Sequence, residues 1–146
     1  MPRIFHVYRA SNDVANFEEM LRNIFQPLFE VTLDPTSNIE LDCFLDTIVG
    51  FDSVDDESRP ESGHLSAGAI SLDSPGAWIH ADNPPYGYWM YYMYSNIAVL
   101  NQLRTARGLS TFQFRPHCGE AGDPNHLISA YLVAHQVTFI LFYFDN

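Results

Sequence analysis

Residues 112–134 read FQFRPHCGEAGDPNHLISAYLVA and contain the transition that decides the fold. STFQFRP at 110–116 is rich in β-branched and aromatic residues, which predicts a strand. DPNHLISAYLVA at 123–134 predicts a helix, with Asp123 as its cap and Pro124 at its first position. A strand that passes through a short turn into a helix is the repeating unit of parallel α/β proteins.

Two helices are predicted in the first third of the chain. Apolar side chains recur at helical spacing over 11–30, and Pro27 is expected to bend or end this helix. Residues 35–50 predict a shorter helix that Gly50 stops. The candidate caps are Ser11, Asn12 and Asp13 for the first helix, and Ser37 and Asn38 for the second.

Strands and helices alternate along the rest of the chain. RIFHVYR at 3–9 and FDSVDDES at 51–58 favour strands. Residues 59–85 are rich in Ser, Gly, Pro, Asp and Asn without periodicity, which predicts a long loop. Residues 86–107 predict a long helix that Gly108 stops, and its first half is apolar all round, which is typical of a buried helix. The order of the elements predicts a parallel α/β architecture.

Composition narrows the class of protein. A length of 146 residues suggests one domain, and 47% hydrophobic residues predict a globular one. A formal net charge of −11 argues against sequence-independent nucleic-acid binding. Two distant cysteines form neither a disulfide framework nor a Cys-x-x-Cys zinc motif, which fits a reducing, cytosolic setting. The start lacks an apolar signal core, and the apolar end VTFILFYFDN is shorter than the ~20 residues that span a bilayer, so no membrane association is expected.

His117 and Glu120 are the candidate functional pair. They follow the predicted strand 110–116, and chemistry in parallel α/β folds lies beyond the carboxyl ends of strands. A neutral imidazole is a good zinc ligand, and a nearby carboxyl can move protons. A lone histidine is more often packed or hydrogen-bonded than a ligand, so the residues alone leave both interpretations open. For His126, in the first helical turn, packing is favoured, and the neighbouring Cys118 is interpreted as a small buried thiol.

The stretch FRPHCGEAG at 114–122 resembles the signature of AMP deaminases, a branch of the adenosine deaminase-like metal hydrolases. Three further stretches resemble that family in the same order, and the likeness covers 2–134. They are NFEEMLRNIFQPLFE at 16–30, GFDSVDDES at 50–58 and NPPYGYWMYYMYSNIAVLN at 83–101.

The resemblance implies a fold and an activity. It implies a (β/α)8 barrel that deaminates AMP to IMP with release of ammonia and depends on zinc. His117 would be a zinc ligand, Gly119 would lie close to the base, and Glu120 would contact the purine and shuttle a proton to its ring. The intact enzyme would take AMP as its substrate and could form a homo-oligomer.

The chain also departs from the family pattern at particular positions. The upstream His-x-His pair is absent, and Phe139 stands where the family has a catalytic histidine. A later aspartate ligand falls beyond residue 146, so one of the four expected zinc ligands remains. Residues 1–134 are therefore interpreted as the central part of the barrel, with about three of its eight strands, and this chain alone is expected to be inactive. The tail 135–146 diverges and is interpreted as read-through sequence.

Two alternatives stay open at this stage. The chain could bind intact subunits as a truncated, non-catalytic partner, because open strand edges and apolar faces favour a complement. It could also be a mis-predicted gene product that does not accumulate.

Overall fold

The computed structural model describes residues 3–7, 14–53, 74–79, 84–119, 123, 125–135 and 138–139. Its strands are β1 (Arg3–Val7), β2 (Ile48–Ser53), β3 (Gln113–Phe114), β4 (His117–Cys118) and β5 (Thr138–Phe139). Its helices are α1 (Phe17–Leu33), α2 (Ile39–Leu45), α3 (Tyr86–Ala106) and α4 (Asn125–Val133), with 3-10 turns at Pro35–Ser37 and Pro75–Ala77. Within these residues, none of the helices combines the length and apolarity needed to cross a bilayer.

The strand pairings among the described residues are all parallel, which confirms the predicted α/β class. β1, β2 and β3 form one sheet in that order, with Gly50 opposite Gln113 and Phe51 opposite Phe114. β4 and β5 form a second parallel pair, in which His117 lies opposite Thr138. Because parallel neighbours need a crossover connection, α1 and α2 link β1 to β2, and α3 links β2 to β3.

The start of α1 corrects the predicted cap. The N-cap is Asn16, and not Ser11, Asn12 or Asp13, because the Asn16 side chain accepts a hydrogen bond from the Glu19 backbone N–H at 2.8 Å. The Glu19 carboxylate accepts in turn from the Ala15 N–H at 2.7 Å. These reciprocal bonds satisfy backbone donors that a helix start leaves unpaired, and they are available only at this register.

The helix α1 does not end at Pro27, and Gly50 differs from its predicted role. The helix α1 continues through Pro27 to Leu33, and Pro27 and Asn23, whose carbonyl loses its partner, are both exposed. The short helix α2 begins after the predicted cap Asn38 but ends at Leu45, with Asp46 as its C-cap. Gly50 therefore lies inside β2 and does not stop a helix.

One side of the helix α3 lies in the core, but its first half is not buried all round as predicted, because Tyr91 and Tyr94 are exposed. Trp89, Met90, Met93, Ile97 and Leu100 on this helix are buried, and Gly108 with a φ of 71° follows its end. Phe17 of α1 packs its ring against the rings of Tyr88, Trp89 and Tyr92, with centroids 5.3–5.9 Å apart.

Two side chains near the end of α3 hold the segment that leads into β3. Asn101 donates to the Phe112 carbonyl at 2.7 Å and accepts from the Phe112 N–H at 2.8 Å, so its amide pairs with the backbone as a strand would. Arg104 is 2% exposed, donates to the Ser110 carbonyl at 2.6 Å and lies 4.4 Å from the Phe112 ring centroid. Burial lowers the pKa of the Arg104 guanidinium, and the carboxylates of Asp46 and Asp42 oppose that shift.

The predicted loop 59–85 lies mostly outside the described residues. Of its described parts, 74–79 contain the turn Pro75–Ala77 and the buried Trp78, whose carbonyl accepts from the Phe17 N–H at 3.1 Å. The helix α4 begins at Asn125, and the predicted cap Asp123 accepts from the Asn125 N–H at 2.8 Å. Pro124 lies outside the described residues.

A substitution at Gly50 tests whether the backbones of β2 and β3 lie as close together as the structure shows. A Cβ at this position would overlap the Gln113 carbonyl oxygen, which belongs to rigid backbone. We expect Gly50→Ala to lower the free energy of unfolding by about 1–3 kcal/mol, the usual cost of overpacking, measured by urea unfolding.

The matched control is Gly108→Asn. Gly108 has a positive φ of 71°, but a Cβ at this position would meet no other atom within 4 Å, and asparagine tolerates this backbone conformation. The control should therefore change the free energy of unfolding by less than about 1 kcal/mol. A more stable Gly50→Ala variant would contradict the close approach, since alanine is otherwise the better strand residue.

Candidate functional site

The site lies where the segment 113–118 changes its partner strand. Residues 113–114 pair with β2, the Arg115 N–H donates to the Phe51 carbonyl at 2.8 Å, and residues 117–118 pair with β5. The side chains of Phe114, Pro116 and Cys118 are almost fully buried. Because alternate side chains point to opposite faces of a strand, His117 lies on the same face as Gln113 and Arg115.

Asp52, at the carboxyl end of β2, holds His117 at two places. Its Oδ1 accepts a hydrogen bond from the His117 backbone N–H at 3.1 Å. The His117 Nδ1 atom lies 3.0 Å from Oδ1 and 2.9 Å from Oδ2 of the same carboxylate. One side chain therefore connects β2 both to the backbone and to the ring of the predicted metal ligand.

The chemistry of this pair determines the direction of the ring hydrogen bond. An ionised carboxylate can only accept, so this contact favours the form of His117 that carries its hydrogen on Nδ1. The two side chains are 19% and 12% exposed, so the pair is shielded from bulk water without being fully desolvated. In the neutral imidazole, the remaining lone pair then lies on Nε2, the nitrogen that could bind a metal.

Tyr86 at the start of α3 contacts the backbone of His117, and His126 near the start of α4 packs on Tyr86. Tyr86, the first residue of α3, donates its hydroxyl to the His117 carbonyl at 3.3 Å. The Tyr86 ring stacks on His126 of α4, with centroids 4.4 Å apart and planes inclined by 22°. His126 is 5% exposed, which agrees with the packing interpretation.

The other predicted site residues have different outcomes. Gly119 follows β4 and is buried, with a φ of 88° that favours glycine. Glu120 lies outside the described residues, so its predicted role stays a prediction. Cys118 is 1% exposed, in agreement with a small buried thiol.

Asp52 and Tyr86 were missed by the sequence analysis. Asp52 is a single acidic residue in the predicted strand FDSVDDES, and its position at the carboxyl end of that strand was the available signal. Tyr86 belongs to an aromatic run that was interpreted as core, and nothing in the local sequence separates its role from that of its neighbours.

The described residues fit a part of a metal site. Among them, no group of three or more His, Cys, Asp or Glu side chains is arranged to hold a metal ion. A histidine whose Nδ1 donates to a carboxylate is the usual arrangement of a metal-ligating imidazole. His117 therefore fits one ligand position, and this part of the chain does not contain a complete ligand set.

Comparison with known proteins identifies the family. The family model described as AMP deaminase matches residues 1–143. The chain belongs to the AMP deaminase family.

Similar curated proteins come from distant eukaryotes. AMP deaminase of Schizosaccharomyces pombe is 50% identical over 137 residues, and AMP deaminase 3 of Mus musculus is 51% identical over 138 residues. A probable AMP deaminase of Oryza sativa is 46% identical over 137 residues. Each match covers 94% of this chain but 16–18% of the relative, so the chain spans less than a fifth of the length of these enzymes.

The Tyr86 hydroxyl can be tested without loss of the aromatic stack. Tyr86→Phe keeps the ring on His126 but removes the donor to the His117 carbonyl. We expect the free energy of unfolding to fall by about 0.5–1.5 kcal/mol, the usual net value of one hydrogen bond, measured by urea unfolding. The control Tyr91→Phe, on the exposed side of α3, should change it by less than about 0.5 kcal/mol, and equal effects would contradict a role for the Tyr86 hydroxyl.

Proposed function

We propose that this chain is the central part of the catalytic barrel of an AMP deaminase, which hydrolyses AMP to IMP and ammonia. The observation that carries the proposal is the Asp52–His117 pair, because it orients an imidazole as a metal ligand inside the stretch FRPHCGEAG. Family membership supplies the reaction and the substrate.

A barrel agrees with the strand arrangement. The parallel strands β1, β2 and β3 follow one another in the sheet in chain order, as in a (β/α)8 barrel. Residues 113–118 then contact β2 on one side and β5 on the other, so the next strand is added in the same direction. His117 and Asp52 lie at the carboxyl ends of these strands, where the active sites of such barrels are found.

In this proposal, His117 binds zinc through Nε2, and the other ligands come from segments outside this chain. When bound, zinc would act as a Lewis acid and lower the pKa of a coordinated water to about 7. Glu120 would contact the purine and transfer a proton to its ring nitrogen, because a positioned carboxyl can act as a general acid and base. Asp52 would keep the ligand ring oriented, and Gly119 would let the backbone approach the base. The proposal places the enzyme in the cytosol.

Phe139 explains why the chain alone is expected to be inactive. It occupies the position at which the family resemblance has a catalytic histidine, and in β5 it lies opposite Cys118 of β4, next to His117. A phenyl ring can neither bind nor transfer a proton.

A segment exchange tests the function directly. Residues 1–134 of this chain replace the matching segment of the Schizosaccharomyces pombe enzyme, and conversion of AMP to IMP is followed by ultraviolet absorbance. We expect turnover, because this exchange adds His117 and Glu120 and leaves the recipient's residue at the Phe139 position. Glu120→Gln in the same hybrid should lower kcat about 10²–10⁴-fold, the usual contribution of a general acid or base.

Two comparisons make the result decisive. A hybrid that carries residues 1–139 also brings Phe139 and should lose turnover, while the unmodified 146-residue chain with zinc should show none. A folded, zinc-loaded 1–134 hybrid without turnover would contradict the proposed function. Turnover by the chain alone that Glu120→Ala abolishes would contradict the count of missing ligands.

A non-catalytic role as a partner of full-length subunits has its own supporting observation. Ile128, Tyr131 and Leu132 on α4 are 60%, 60% and 80% exposed, and together they form an apolar face on a short helix. Exposed apolar faces favour association with a complementary surface.

Association can be measured by mixing the tagged chain with a full-length AMP deaminase and analysing the mixture by size-exclusion chromatography. If α4 forms the contact, Leu132→Glu should reduce co-elution at least about tenfold, because it adds a charge to a buried apolar surface. Gln102→Glu, an exposed position on α3, adds the same charge elsewhere and should have no effect. Equal co-elution of all three proteins would exclude α4 as the contact.

A further inference from the structure

We propose that Asp52 is a positioning residue that selects the metal-binding nitrogen of His117. The inference rests on the proposed role of His117 as a metal ligand, and it assigns the choice between Nδ1 and Nε2 to a residue on the neighbouring strand. Asp52 does not bind the metal in this proposal. It acts through its hydrogen bonds to His117.

The carboxylate fixes both the position and the orientation of the ring. Its Oδ1 holds the His117 backbone N–H at 3.1 Å, and both of its oxygens lie within 3.0 Å of Nδ1. A bond to the ring alone would allow the backbone to shift, and a bond to the backbone alone would allow the ring to rotate. Because one rigid group makes both contacts, the ring plane follows the position of β2.

The hydrogen bond from the His117 N–H to the Asp52 side chain lies just beyond the last paired residues of β2 and β3. The ladder between β2 and β3 ends with Phe51 opposite Phe114, and the Phe51 carbonyl then accepts from Arg115 at 2.8 Å. Two residues later, His117 pairs with Thr138 of β5, while its N–H still faces β2 and donates to the Asp52 side chain. The orientation of the ligand is therefore coupled to the register of β2 and β3.

The substitution Asp52→Asn separates this role from simple space filling. Asparagine has the shape of aspartate but replaces one acceptor oxygen by a donor NH₂ group. If its oxygen keeps the His117 N–H, its NH₂ group faces Nδ1 and favours the tautomer with hydrogen on Nε2. That tautomer has no lone pair on Nε2, so the ring cannot bind a metal there without moving its proton.

The full chain, labelled with ¹⁵N in histidine, gives a readout that needs neither substrate nor metal. The ¹⁵N chemical shifts of the His117 ring, assigned with His117→Gln, report which nitrogen carries the hydrogen at a fixed pH. We expect hydrogen on Nδ1 in the parent chain and a shift toward Nε2 in Asp52→Asn. In the 1–134 hybrid with the Schizosaccharomyces pombe enzyme, which supplies the other ligands, addition of Zn²⁺ alone should perturb Nε2, and Asp52→Asn should need about 10–100 times more Zn²⁺, the usual effect of removing such a partner.

The controls distinguish the inference from a change in charge or fold. Asp46→Asn removes the same charge at an exposed position after α2 and should leave the tautomer unchanged. If Asp52→Asn does not fold, Asp52→Glu decides, because it keeps an acceptor-only carboxylate and should keep hydrogen on Nδ1. Hydrogen on Nε2 in the parent, or an unchanged tautomer in folded Asp52→Asn, overturns the inference. In the 1–134 hybrid, the expected tautomers without any response to Zn²⁺ would support the role of Asp52 and contradict the proposed metal site.

Discussion

The close approach of β2 and β3 at Gly50 is the constraint on which the site depends. A side chain at this position would overlap the Gln113 carbonyl, so a glycine is needed for the two backbones to pair at this register. That register puts Asp52 at the correct distance from His117. Because side chains alternate along a strand, a slip by one residue would move the carboxylate to the opposite face and leave the imidazole without it.

The opposite face of the same strands is held by the helices. Phe51 packs against Phe25 of α1 and Phe112, with ring centroids 6.2 Å and 5.3 Å apart. Near the end of α3, Asn101 and Arg104 fix the segment that enters β3. Buried aromatic and polar contacts therefore set the register of the sheet. That register positions the Asp52–His117 pair at the carboxyl ends of the strands.

Local signals predicted the elements that depend on nearby residues. The long apolar pattern and Gly108 predicted α3 within a residue at each end, and the strand-turn-helix order around His117 predicted the parallel class. The predicted cap of α1 was wrong because several polar residues compete for that role, and the predicted end of α2 was wrong because Gly50 belongs to β2. Asn16 has Glu19 at the right distance for reciprocal capping, and Gly50 is needed in β2 rather than at a helix end.

The sequence by itself determined the family, the parallel class and His117 as the candidate ligand, since these depend on residue types at short spacings. Only the tertiary structure decided that Asp52 holds that ligand, because the two residues are 65 positions apart and meet through strand pairing. It also decided that the Tyr86 hydroxyl reaches the His117 carbonyl. A hydrogen bond depends on distances of a few ångströms, and those distances are set by packing between elements that local sequence patterns do not describe.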